Sequence, residues 1–95
     1  METIQIIEQE RAESIAKAII KKMQRRRRDI IKYQSETIIM LDIIQSCISV
    51  EDIEQAQNVT GIYNLDDYDF LSCLIGEELT LDIRDQYNYI LADQN

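Results

Sequence analysis

The chain has no histidine, no proline, only two glycines (Gly61 and Gly76), only two cysteines, and no long apolar run. Each shortage removes a class of protein. Without histidine, the commonest general base and metal ligand near neutral pH is missing, and Cys47 and Cys73 have no imidazole to activate them. The lack of proline and the scarcity of glycine argue against a strand-rich fold with many tight turns and in favour of long helices. The longest uncharged apolar stretch, TIIML at residues 37–41, falls far short of the ~20 residues of a membrane helix, so no membrane partner is expected. The opening METIQIIEQERAE lacks a basic segment ahead of an apolar core, which is not the pattern of a signal peptide. Both cysteines are therefore expected to be reduced, buried thiols of a cytoplasmic protein.

Ninety-five residues, 45% apolar and 29% charged, suit one folded domain spanning residues 1–95 with a thin core. Small helical chains often thicken such a core by self-association. The formal net charge of −8 is unevenly spread: residues 1–48 hold nine Lys/Arg against seven Asp/Glu, and residues 49–95 hold one Arg against eleven acids. Asymmetry of this kind speaks to association rather than to fold. It divides the chain into a basic-striped oligomerisation segment, 1–48, and an acidic short-helix segment, 49–95.

Within the basic half, KKMQRRRRD at residues 21–29 puts six positive side chains into nine positions. At 100° per residue, Ala12, Ile15, Ala16, Ile19, Met23, Ile30, Leu41, Ile44 and Ile48 fall on one helical face. Lys17, Lys21, Arg25, Arg28 and Lys32 fall opposite. Arg26 and Arg27 flank the apolar stripe, where long stems cover it while their charges project outward. No glycine or proline interrupts residues 1–60, so the spacing predicts one amphipathic helix over residues 3–48, ~70 Å long at 1.5 Å per residue. Such a rod needs a second chain to cover it. The alternative is a hairpin broken near residues 33–36. Ile15, Ile19, Met23, Ile30, Gln34, Ile38, Leu41 and Ile44 are the expected oligomer contacts, with Gln34 as a polar register-setting position.

Three short helices are predicted after residue 48, making the protein all-α. Ser49 resembles the N-cap of a capping box with an acid at Asp52, and that helix stops at Gly61. Asp66, Asp67 and Asp69 crowd the start of the next, where carboxylates favour the positive end of the helix dipole. Its buried side is Phe70, Cys73 and Leu74, and Gly76 ends it. Thr80 is the expected cap of a last helix through Leu91, with Ile83, Tyr87, Ile90 and Leu91 on one face.

No catalytic residues, metal ligands or cofactor emerge. The carboxylate groups lack the glycine and distal glutamate of an EF-hand loop. Residues 51–74 are loosely similar to a helix-turn-helix, but aspartates at the start of the reading helix would meet phosphates with like charge. Two binding surfaces remain. Lys21, Lys22, Arg25, Arg26, Arg27, Arg28 and Lys32 form a candidate site for nucleic acid or a phosphorylated small ligand. Asp66, Asp67, Asp69, Glu77, Glu78, Asp82, Asp85 and Tyr89 form a candidate surface for a basic protein partner. The function expected is a non-enzymatic, homo-oligomeric interaction protein that regulates or inhibits a macromolecule. By analogy of composition alone it is like phage or mobile-element inhibitors acting in a host cytoplasm. A purely structural assembly is a further alternative.

Overall fold

In a computed structural model of the protein, residues 5–33 and 38–92 are described. They form six helices and no strand: α1 (Gln9–Arg25), α2 (Arg27–Lys32), α3 (Ile38–Cys47), α4 (Val50–Thr60), α5 (Tyr68–Ile75) and α6 (Glu77–Ala92). None of these helices is long and apolar enough to cross a membrane.

The helix expected over residues 3–48 is not continuous. Residues 5–8 are non-helical, and α1 opens after Glu8 in an extended conformation. The helix loosens at Arg26 (φ −104°, ψ 24°) before α2 resumes. Main-chain bonds bridge this irregularity: the Arg26 N–H donates to the Lys22 carbonyl and the Ile30 N–H to the Arg26 carbonyl, both at 3.0 Å. Thus α1 and α2 act as one helix with a local defect, ending by Tyr33. Gln34, Ser35, Glu36 and Thr37 lie outside the described residues.

Beyond them α3 returns antiparallel. Arg26 pairs with Asp42, Lys22 Nζ donates to Ser46 Oγ (2.7 Å), and Arg11 pairs with Asp52 of α4 (2.8 Å), so residue order reverses along the contact. This is the hairpin arrangement. Its cause is the uncovered stripe: folding back brings Met40, Ile43 and Ile44 into the same buried cluster as Ile19, Met23 and Ile30. The result measures 41 × 23 × 22 Å, with a radius of gyration of 13.0 Å.

The second half completes the cover. Helix α6 lies against α1, α2 and α5, and α5 also meets α1 and α4. Along α1 and α2, Ala12, Ala16, Ile19, Met23 and Ile30 are at most 2% exposed. The interior helix is α5: Phe70, Leu71, Ser72, Cys73, Leu74 and Ile75 are all buried, not only the three residues the spacing indicates. A short apolar helix surrounded on every side has no polar face to reveal its orientation. Its C-terminal carbonyls are satisfied by the extended N-terminal segment: the Ile6 N–H donates to Cys73 (2.8 Å) and the Ile7 N–H to Leu74 (3.1 Å). Ile7 itself is 1% exposed, so this segment is a strap held by main-chain bonds and burial.

Several stops and starts follow local chemistry. Ser49 Oγ accepts from the Asp52 N–H (3.2 Å), and Gly61 ends α4 in the left-handed region (φ 73°). Asp67 caps α5 by accepting from the Asp69 N–H (2.8 Å). The expected cap at Thr80 is not one. Gly76 alone separates α5 from α6, so the last helix starts at Glu77, four residues earlier on the Gly76 side than Thr80's own turn would place it. Thr80 sits inside α6, 2% exposed, its hydroxyl donating to the Gly76 carbonyl (2.8 Å).

Candidate functional site: two charged faces and an apolar groove

The basic run does not form a single patch. Lys21, Arg25, Arg28 and Lys32 are exposed together with Lys17, and helical spacing sets these five along the outer face of α1 and α2. Arg26 and Arg27 are half-buried at the flanks. Arg26 is held by Asp29 (3.5 Å) as well as by Asp42, and Arg27 has an interaction of its own. Lys22 is turned to Ser46, while Lys32 stands 5.2 Å from the Tyr33 ring centre. Among the described residues, no ion pair involves Lys17, Lys21, Arg25 or Arg28. Lys21, Arg25 and Arg28 are what remains of the nine-residue run, and Lys17 one turn earlier extends them to a row of four cations without an ion pair among the described residues.

The acidic residues are likewise sorted. Asp67 is engaged in capping, and Glu77 accepts from the Tyr68 hydroxyl (3.1 Å). Burial first, and the Glu77 carboxylate second, push the pKa of that hydroxyl up, keeping it a donor. Asp66 is half-buried, and Asp69 is exposed. Glu78, Asp82, Asp85 and Tyr89 are exposed, and their spacing of four, three and four puts them on one outward face of α6. Tyr89 is 66% exposed, and Leu81 beside the row is 40% exposed. None of these carboxylates is in an ion pair among the described residues.

A groove that sequence reasoning missed lies between α3 and α6. Both helices pack on the α1–α2 helix, and the gap between them has a volume of about 140 Å³. Met40 and Ile44 line one wall, Ile83 and Tyr87 the other, with Leu71 of α5 and with Asp66 and Arg84 among its polar neighbours. One signal was available in the sequence: Arg84 is the sole base among residues 49–95. Thr80 and Tyr87, four residues before it and three after it, neighbour it on the helix surface, and all three line the groove.

The expected oligomer contacts divide differently. Ile19, Met23, Ile30 and Ile44 are covered within one chain, at most 2% exposed, whereas Ile38 is 63% exposed. Ile15 and Leu41 are half-buried, and Gln34 is outside the described residues. The resemblance of residues 51–74 to a DNA-reading motif does not extend to geometry. Seven residues, 61–67, separate α4 from α5, and a helix buried at six successive positions has no face to enter a groove of DNA. Among the described residues, no three carboxylates or thiols come together as a metal-binding set. No family model, curated protein or solved structure matches the chain.

Proposed function

We propose that this is a non-enzymatic helical interaction protein of the cytoplasm, binding a basic macromolecular surface through the acidic face of α6 and regulating or inhibiting its partner. The observation that carries this reading is the row Glu78, Asp82 and Asp85, exposed beside Tyr89 and without an ion pair among the described residues. Carboxylates aligned on a rigid helix steer a cationic partner from a distance. The adjacent ring supplies contact area at little entropic cost. Self-association is not required by this reading, because the apolar stripe that called for a second chain is covered within one. A homo-oligomer, if formed, would use the exposed surface near Ile38.

The test is to immobilise the full chain, elute salt-sensitive partners from host lysate, and purify the protein recovered. The triple variant Glu78→Lys, Asp82→Lys, Asp85→Lys is expected to weaken binding of that purified protein by at least about tenfold. The reading fails if the reversal leaves binding unchanged.

The row Lys17, Lys21, Arg25 and Arg28 favours a second reading, in which phosphates of a nucleic acid or a phosphorylated ligand lie along α1 and α2. Replacing Lys21, Arg25 and Arg28 with Gln should then abolish retention on heparin and on short DNA or RNA. Unchanged retention removes it.

A further inference from the structure

We propose that the groove between α3 and α6 binds a free α-amino acid with an apolar side chain, Arg84 pairing with its carboxylate and Asp66 with its ammonium. Size sets the first limit. At about 140 Å³, the groove is close to the ~150 Å³ apolar cavity that accepts benzene and well below the ~300–1,000 Å³ of ordinary cofactor and drug-sized sites. It takes one leucyl or phenyl group, not a nucleotide. The walls suit that group, since Met40, Ile44, Leu71 and Ile83 offer only hydrocarbon and a thioether.

The polar groups at the groove set the second limit. Two of them are engaged: Thr80 Oγ1 donates to the Gly76 carbonyl, and the Tyr68 hydroxyl donates to Glu77. Asp66 and Arg84 line the same groove, yet neither side chain forms a hydrogen bond or ion pair among the described residues. Arg84 instead stands 5.8 Å from the centre of the Tyr68 ring. In a half-chain with eleven acids and one base, that base lines the same groove as a carboxylate, and the two are not paired with each other or with another described residue. A hydrocarbon ligand fills the hole and leaves both charges unmet. A simple acid or a simple amine meets one charge and is repelled by the other. The zwitterion matches both, on one carbon, with its side chain in the hole.

This inference stands apart from the acidic face. Arg84 and Tyr87 lie across α6 from Glu78, Asp82 and Asp85 by helical spacing, so either reading can fail alone. One buried side chain with two solvent-screened ion pairs gives a dissociation constant on the order of 1 mM. The experiment is an NMR titration of the full chain with L-leucine and L-phenylalanine, following the methyl groups of Ile44, Leu71 and Ile83. Controls are 4-methylpentanoate, isopentylamine and N-acetyl-leucine amide.

Saturable shifts with leucine or phenylalanine are expected, weaker by about tenfold for each control and for Arg84→Gln and Asp66→Asn. Both substitutions change partly or fully exposed side chains, and unchanged circular dichroism verifies that the fold is kept. No saturation by about 50 mM overturns the proposal. So does equal binding of the acid or amine, which would make the groove a site for any oily group. Binding of N-acetyl-leucine amide as tightly as leucine also overturns it, and assigns the groove to a side chain of a partner polypeptide.

Discussion

Helices α1 and α5 solve opposite problems. Over 17 residues α1 buries four, Ala12, Ala16, Ile19 and Met23, packs Ile15 and Ile20 half-buried against the same core, and turns its opposite face to solvent and charge. In eight residues α5 buries six in succession. The first is a cover and the second is what is covered. A cover displays its role as a periodic stripe, because its two faces meet different surroundings. An interior helix has no second face, so its composition announces burial without saying against what. The difference teaches that charge in this protein belongs chiefly to the outer helices, α1–α2, α4 and α6, while α5 and the strap bonded to it lie in the interior.

That contrast breaks or holds most sharply under truncation. Phe70→Ala, at a position 0% exposed, is expected to cost about 3–5 kcal/mol, a large share of the ~5–15 kcal/mol of a typical domain. Ile15→Ala on half-buried α1 should cost about 1 kcal/mol. Urea denaturation of both variants measures the ratio. Equal losses would mean that α5 is not the centre of the fold.

The two glycines sharpen the comparison at a smaller scale. Gly61 closes a surface helix at φ 73°, ψ 7°, and a Cβ there would meet nothing within 4 Å. Alanine should cost about 1 kcal/mol, the ordinary penalty of left-handed backbone. Gly76 turns the chain from α5 into α6 at φ 95°, ψ 155°, a region open essentially to glycine alone, where about 1–3 kcal/mol is expected. A Cβ there would also come 2.7 Å from Gln5 Oε1. Gln5 can swing away, but it would give up its donation to the Ile7 carbonyl (2.8 Å). Gly76→Ala should therefore speed amide hydrogen exchange at Ile6 and Ile7, and Gly61→Ala should not. Equal effects of the two variants on those amides would separate the strap from the corner.

Local chemistry made much of this legible. Ser49, Asp67, Gly61 and Gly76 stop or start helices where their side chains or the lack of one dictate, and Arg26 and Arg27 flank the stripe as their stem lengths suggest. What escaped the sequence depends on which segment lies over which. The strap at Ile6 and Ile7 has no periodicity of its own and exists only because α5 ends with free carbonyls beside it. Thr80 has the chemistry of a cap, but the corner at Gly76 starts α6 before it. Among the eight residues of the acidic surface, only Glu78, Asp82, Asp85 and Tyr89 share a face of α6, since capping takes Asp67 and Tyr68 takes Glu77. The groove is a gap between two covers, and no stretch of sequence contains it.

The two thiols carry the comparison to its smallest expected effect. Cys73 lies inside α5, and burial pushes its thiol pKa up from the ordinary value of 9.0. Cys47 is half-buried at the end of α3. Because folded Cys73 holds its proton to a higher pH than the unfolded chain does, its contribution to stability is complete below the ordinary thiol pKa. That contribution is then lost as pH rises from there through the higher folded value. Urea denaturation between pH about 7 and about 10 should thus show a steeper decline for the wild type than for Cys73→Ala, whose slope lacks this component. Alkylation at mildly alkaline pH should likewise reach Cys47 well before Cys73, since the thiolate is the reactive form and the interior helix suppresses it. Equal labelling rates with parallel pH slopes would place Cys73 in contact with water, and α5 would then be one more cover rather than the element the others enclose.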